Sequence, residues 1–223
     1  MTKNILVICA HPDDESLGLG GTLAIHTKQK DNVSVLIFTT GQFARDESKK
    51  GILKRQKQGE KACKILGIKH VEFLFYDDQK LDTTPLTDIT EKIESAIEKI
   101  KPNTVYTHFW GDMNQDHRRI YEATLIATRP QNNSTISEVI CYETPSSTDN
   151  SFGSRNFIPN YFVDIKKVLK KKKHAVEQYK DEILEFPHPR SLDAIENRAQ
   201  FWGSMVNLEY AEAFVKIREI KLV

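Results

Sequence analysis

Along this chain short, uninterrupted apolar runs alternate with longer stretches in which apolar residues recur every third or fourth position. Residues 5–10 are continuously apolar and end in a proline-containing acidic turn, the pattern of a central strand covered on both faces. Residues 33–39, 71–75, 104–107 and 138–142 read as further strands. Helical spacing is found over about 17–29, over 52–66 with Gly67 in the C-cap position, over 88–100, and through Ile120, Ala123, Thr124 and Ala127 before Pro130. Strands that alternate with helices predict an α/β protein with a parallel sheet and right-handed crossovers. Such sheets carry their sites beyond the carboxyl ends of the strands. Residues 143–160 read as a long polar loop, of a length usually found in lids and mobile segments. After them come a short strand at 161–163, Asp164 as an N-cap, and helical spacing through Val168, Ala175, Val176, Tyr179, Ile183 and Leu184. Residues 191–220 read as one or two closing helices packing Ile195, Phe201, Trp202, Phe214 and Ile217.

Two ionisable clusters interrupt this pattern, both at predicted strand ends. Ala10-His11-Pro12-Asp13-Asp14-Glu15 follows the first strand, and Asp112-Met113-Asn114-Gln115-Asp116-His117-Arg118 follows the fourth. Acidic residues also open helices, so the first cluster alone fits a helix start equally well. The pair of clusters favours chemistry, because two strand ends of one parallel sheet can face each other. The glycines that follow, Gly18, Gly20 and Gly21, allow close backbone approach but do not complete a dinucleotide fingerprint, which needs glycine where Leu23 stands. A nicotinamide cofactor is thereby excluded.

Composition narrows the class further. A chain of 223 residues suits one domain, residues 1–223, and a formal charge of +1 with both signs dispersed gives no nucleic-acid footprint. The three cysteines, Cys9, Cys63 and Cys141, are far apart and lie mostly in apolar stretches, as reduced core thiols do, which points to the cytosol. No apolar run is long enough for a signal-peptide core or a membrane span.

Two histidines and an aspartate from separate loops form a three-ligand site that leaves a position open for water, the catalytic pattern for zinc. His11, Asp14 and His117 are the expected ligands, one zinc per chain, with another divalent metal left open. The attacking water needs a base, and Asp13, adjacent to a ligand, suits that role; the other reading makes Asp13 a carboxylate that only orients His11. His108, at the end of the fourth strand, reads either as a donor or substrate contact or as a packed core histidine. By composition alone Arg55 is one more surface cation. Arg118, Arg155 and Arg190 read either as phosphate contacts or as surface ion pairs, and Arg190 is carried forward as a candidate substrate contact.

AHPDDE after a first apolar strand, GLGGTLA behind it and a later NQDH resemble the PIG-L/LmbE family of zinc-dependent N-acetylglucosaminyl deacetylases. The similarity extends over most of the chain, including Thr40-Gly41, the Arg55 helix and Tyr210-Ala211-Glu212-Ala213-Phe214. It implies a single-domain, Rossmann-like three-layer fold and an N-deacetylase activity that releases acetate and a free amine. It also implies His11, Asp14 and His117 as ligands, Asp13 as general base, Glu15 in support and Arg55 as a sugar contact. Many members carry a histidine, held by an aspartate, three residues before the last ligand. Here Asn114 stands in that place and Asp116 is kept, and an amide donates a hydrogen bond but delivers no proton. GDMNQDHR, Ala127-Thr128-Arg129-Pro130 and Tyr142-Glu143-Thr144-Pro145-Ser146-Ser147 resemble members tied to sugar-nucleotide or surface-polysaccharide pathways. The expected substrate is an N-acetylamino-sugar conjugate of that kind, and a homo-oligomer is the expected assembly. The alternatives are a hydrolase of a non-sugar amide and a non-catalytic sugar-binding or assembly protein with a structural metal.

Overall fold

The computed structural model describes residues 2–41, 48–131, 135–151 and 155–221. Most of the polar connection after the second strand, 42–47, and Gly153 of the long loop lie outside them. In chain order the elements are β1 (Asn4–Cys9), α1 (Asp14–Lys28), β2 (Asn32–Thr39), α2 (Lys49–Leu66), β3 (His70–Tyr76), α3 (Leu86–Ile100), β4 (Thr104–His108), α4 (Gln115–Ala127) and β5 (Glu138–Tyr142). A 3₁₀ turn (Thr148–Asn150), β6 (Tyr161–Asp164), α5 (Leu169–Val176), α6 (Leu192–Ser204) and β7 (Ala211–Glu219) complete it.

One seven-stranded sheet runs in the order β3-β2-β1-β4-β5-β7-β6. The pairings among β1 to β5 are all parallel, and β7 runs antiparallel to both of its neighbours. Strand β1 explains the layering: Ile5, Val7 and Cys9 join the core under α1, α2 and α5, while Leu6, Ile8 and Ala10 join the core under α3 and α4. Helix α3 packs Ile89, Ile93 and Ile97 into that second core, each worth about 1.5–3 kcal/mol of burial. From β1 the chain moves outward to β2 and β3, then crosses back to β4 on the other side of β1. The loops after β1 and β4 therefore diverge and leave a crevice at the strand ends, the topological switch point of such sheets.

Helix α1 covers this crevice closely because it lacks side chains where it meets the sheet. A Cβ at Gly18 would stand 2.5 Å from the Tyr142 ring and 2.7 Å from the Glu143 carbonyl oxygen, and one at Gly21 would stand 2.6 Å from Ile165. Gly67 ends α2 in the left-handed conformation, as its C-cap position predicted.

Two expectations are corrected in the last third. Asp164 ends β6 rather than capping a helix, and α5 stops at Val176, so Tyr179, Ile183 and Leu184 lie on irregular backbone. Residues 211–219 form a strand, not a helix: apolar Ala211, Ala213, Val215 and Ile217 alternate with Glu212, Lys216 and Arg218, but Phe214 breaks the alternation and stands at helical spacing from Ile217. Nor do residues 143–148 behave as a lid. Glu143, Thr144 and Thr148 are buried, and Thr144 and Thr148 close a turn through two hydrogen bonds.

Candidate metal centre and acyl cavity

The first cluster both opens α1 and faces the crevice. Asp13 holds φ 126°, a left-handed conformation that strains a non-glycine residue by about 1–3 kcal/mol. It makes no cap bond to its own helix, and its backbone N–H donates to Glu15 Oε2 at 3.1 Å. Glu15 is fully buried and accepts from Ser16 Oγ and Tyr179 Oη, each at 2.6 Å. Burial pushes its carboxyl up to about 7 against the pull of those hydroxyls. Asp14 Oδ2 accepts the His11 backbone N–H at 2.7 Å, which folds the turn back on itself.

His11, Asp14 and His117, from the two strand ends, bring one donor atom each within 4.8 Å of the others. His11 Nδ1 lies 3.1 Å from His117 Nε2, and His117 Nε2 lies 3.5 Å from Asp14 Oδ1. The far nitrogens of both rings meet carboxylates. His11 Nε2 is 3.0 Å from Asp78 and 3.4 Å from Asp116, and His117 Nδ1 is 3.1 Å from Asp112. Rings that donate their outer N–H to carboxylates turn bare inner nitrogens toward each other. Asp14 Oδ1, buried between them, has no hydrogen-bond partner. Three donor atoms therefore converge, and a divalent cation is a group that satisfies all three. Burial opposes protonation of His11, yet Asp116, Asp14 and Asp78 together hold its pKa well above the usual range, so a cation binding there displaces a proton.

The supporting carboxylates are themselves anchored. Burial pushes the Asp112 carboxyl up, but His117, the Thr148 hydroxyl and the Asn114 N–H outweigh it and hold it at about 2. Asp116 accepts the backbone N–H groups of Gln79 at 2.8 Å and Leu81 at 3.0 Å. It fixes the loop after β3 that carries Asp78. With both oxygens so engaged, the alternative group His11, Asp78 and Asp116 is the poorer cation site.

Above the metal centre a polar cavity of about 190 Å³ is lined by His11, Asp13, Arg55, Asp78, Asn114 and Arg190, among others. Asp13 Oδ2 accepts from Arg55 at 3.0 Å and Arg190 at 3.2 Å. Burial raises its carboxyl pKa, with both guanidiniums pulling the other way. Glu182 holds the same two arginines from behind, at 3.0 and 3.1 Å. Asn114 caps α4 through Oδ1, which accepts the Asp116 N–H at 2.9 Å, so its amide NH₂ is the end left for a ligand.

Of the expected site residues, His11, Asp13, Asn114, Arg55 and Arg190 line this cavity, and Asp14, Asp116 and His117 stand against His11. His108 and Glu15 lie beneath it and do not line it. His108 is fully buried, its ring stacked on His117 with centroids 3.9 Å apart. Its Nε2 accepts the Ala10 N–H at 2.9 Å, and burial, then His117, drive its pKa down to about 4, which keeps it neutral. Arg118 is spent on the Asp112 and Met113 carbonyls, and Arg155 reaches the Trp110 carbonyl outside the cavity. Sequence reasoning gave no role to Asp78, Asp112 or Glu182. The first follows a strand end as part of Asp77-Asp78, a signal that was available; Glu182 stands in Lys180-Asp181-Glu182, which reads as ordinary surface charge, and gave none.

The PIG-L family model, described as GlcNAc-PI de-N-acetylase, matches residues 6–128, which hold both ligand clusters. An uncharacterized deacetylase of Escherichia coli strain K12, YaiS, is 32% identical over 169 residues, covering 74% of this chain and 83% of that protein. The diacetylchitobiose deacetylase of Thermococcus kodakarensis is 29% identical, covering 94% and 81%. Among solved structures, the N,N'-diacetylchitobiose deacetylase of Pyrococcus horikoshii superposes with a TM-score of 0.78 at 22% identity, over 97% of this chain and 84% of that one. No helix among the described residues is long and apolar enough to cross a membrane. With its relatives named as deacetylases, this chain is a hydrolase, and it belongs to the PIG-L family of GlcNAc-PI de-N-acetylases.

Proposed function

We propose that the protein is a zinc-dependent N-deacetylase of an N-acetylamino-sugar conjugate, with His11, Asp14 and His117 as ligands and Asp13 as general base. The observation that carries this is the orphaned Asp14 Oδ1 beside two inward imidazole nitrogens, one residue from a buried carboxylate that lines the cavity. A bound zinc would polarise the acetyl oxygen and lower the pKa of a water to about 7.

The remaining steps belong to the chain's own groups. Asp13 takes a proton from the attacking water as oxygen adds to the carbonyl carbon, then returns it to nitrogen as the C–N bond breaks. Acetate and a free amine leave. Arg55 and Arg190 fix the Asp13 oxygen that faces them, so its other oxygen is the one free to move the proton. The Asn114 amide donates toward the oxygen that gains charge in the transition state, without supplying a proton. Glu15 holds the strained Asp13 backbone through its N–H, and Asp116 holds the loop behind His11.

Acetate release from N-acetylglucosamine conjugates by zinc-loaded protein tests this beside Asp13→Asn and His117→Ala. Asp13→Asn is expected to keep stoichiometric metal and lose about 10²–10⁴ in turnover, and His117→Ala to lose both. Turnover that survives Asp13→Asn would remove Asp13 as the base, and simple acetamides cleaved as fast as sugar acetamides would remove the sugar.

A further inference from the structure

The acyl cavity, at about 190 Å³, is smaller than the roughly 300–1,000 Å³ usual for a ligand site. It holds the acetamido end of a substrate and little more. A second concavity of about 620 Å³ lies beside it, between α6 and the segment after β5. Two stretches of chain run from one to the other. Ser146 accepts from Arg190 Nε at 2.9 Å at the acyl cavity, and Thr148 and Asp149 line the larger groove. Phe186 lines the groove and Arg190 the acyl cavity, four residues on. Ser146 and Asp149 are three residues apart and Phe186 and Arg190 four, spans of at most about 11 and 14 Å, so the two spaces lie within the reach of one extended ligand.

The groove's lining pairs aromatic faces with free amides. Phe157, Phe186, Phe201 and Trp202 border it, with Phe186 61% and Phe201 57% exposed. Trp202 is held in place by donating Nε1–H to Glu143 Oε1 at 2.6 Å. Asn156 and Asn197, both exposed, have no hydrogen-bond partner among the described residues. Flat apolar faces for the C–H side of a pyranose, with amides that both donate and accept for its hydroxyls, are the chemistry of a sugar ring.

Charge separates the candidate conjugates. The guanidiniums lining the two spaces are Arg55, Arg190 and Arg198, and each is already held by two carboxylates. Arg55 and Arg190 share Asp13 and Glu182, and Arg198 bridges Glu143 and Asp149 at 2.6 Å each. No other lysine or arginine lines either space among the described residues. A diphosphate would meet neutralised cations and an excess of carboxylates; a neutral glycan meets no such penalty.

From this juxtaposition we infer that the α6 groove is a subsite for a second, uncharged sugar ring, and that the enzyme prefers N-acetylated oligosaccharides to sugar nucleotides. The inference rests on the amino-sugar deacetylase reading. The substrate conjugate is thus supplied by a glycosyl transfer that has already discharged its nucleotide.

The test compares acetate release from N-acetylglucosamine, a neutral N-acetylated disaccharide and UDP-N-acetylglucosamine by zinc-loaded wild type, Asn197→Ala and Phe186→Ala. The disaccharide is expected to exceed both others in kcat/KM by about tenfold or more. Each substitution should raise the disaccharide KM about three- to tenfold and leave monosaccharide turnover unchanged. Preference for the sugar nucleotide, or equal effects on all three substrates, would overturn the subsite. So would a change of oligomeric state in Phe186→Ala with selectivity intact, which makes the groove a contact between copies. Trp202 fluorescence in a Trp110→Phe background reads saccharide binding without turnover. Saturable quenching by the disaccharide, weakened by Asn197→Ala, with no acetate from any sugar would sink the deacetylase reading and keep the subsite. Acetate released equally from mono- and disaccharide, without quenching, would do the reverse.

Discussion

The Asp112 carboxylate accepts from Ser147 at 2.9 Å, Thr148 at 2.7 Å and the Asn114 N–H at 2.8 Å while facing His117 Nδ1 at 3.1 Å. Its charge fixes which His117 nitrogen points at the metal centre. Asp112→Asn removes that charge with little change of shape, and metal affinity is expected to fall about ten- to a hundredfold, read by competition with a chromophoric chelator. Unchanged affinity would leave the stack on His108 and the Ser147 hydroxyl, 3.3 Å from Nδ1, as the contacts that orient the ring. At this scale the sequence was informative where chemistry concentrates along the chain. His11, Asp14 and His117 stood out because ionisable residues crowd after apolar strands. The partners that aim them were harder to see, since Asp78 and Glu182 reach the site only through folding, from positions 67 and 171 residues beyond His11. His108 looked like a site residue by position, but a lone histidine at a strand end carries no sign of whether its ring turns up to the cavity or down into the core.

At the level of elements, α1 is the piece whose fit positions the first cluster. Gly18→Ala drives a methyl against the Tyr142 ring and the Glu143 carbonyl oxygen and is expected to cost about 1–3 kcal/mol. Gly20→Ala meets Lys172 Cγ at 3.3 Å and nothing else nearer than 3.8 Å, so Lys172 need give by only a few tenths of an ångström and the gain in helix propensity, up to about 1 kcal/mol, offsets the contact. Urea midpoints of the two variants separate these outcomes; equal shifts would show that α1 is not closely packed. The first nine elements were legible because each surface helix and buried strand has a distinct period. The last third was not: Phe214 interrupts the alternation of β7, and with Ile217 it fits a helix as well as a strand. Strands β4, β5 and β7 are also tied by Glu138, which accepts from Thr104, Lys3 and Lys216. Burial raises its carboxyl pKa, but Lys216, Lys3 and Thr104 prevail and hold it at about 2, below the usual 4.5. A depressed carboxylate stabilises the fold above about pH 4.5 and loses that contribution as pH falls toward 2. Glu138→Gln is therefore expected to lower stability at pH 7, by about 1 kcal/mol given the half-exposed Lys3, and to flatten the acid limb between those values. Parallel acid limbs for the two proteins would refute the assignment.

For the whole molecule, the proposed metal centre joins the two loops that diverge at the switch point, so a bound cation would act as a clasp across the sheet. Chelation is expected to lower the melting temperature, by an amount equivalent to about 2.7 kcal/mol when zinc had stood at a hundred times its dissociation constant. Scanning calorimetry with and without chelator measures it, and the shift should vanish in His117→Ala; a shift that persists there would place the stabilising metal elsewhere. The fold class was legible at this scale from the strand–helix rhythm alone, while the antiparallel edge depended on contacts between distant parts of the chain. That edge has a consequence for how the protein is made. Every proposed ligand and the proposed base lie within the first 117 residues, but β6 must wait for β7, its one strand neighbour among the described residues, whose Ala211 is 47 residues later than Asp164. Until β7 is made and inserted, the growing chain holds β5 as an open, sticky margin. The groove walls on α6 also arrive late, so during synthesis the hydrolytic centre precedes the surface proposed to choose what it hydrolyses.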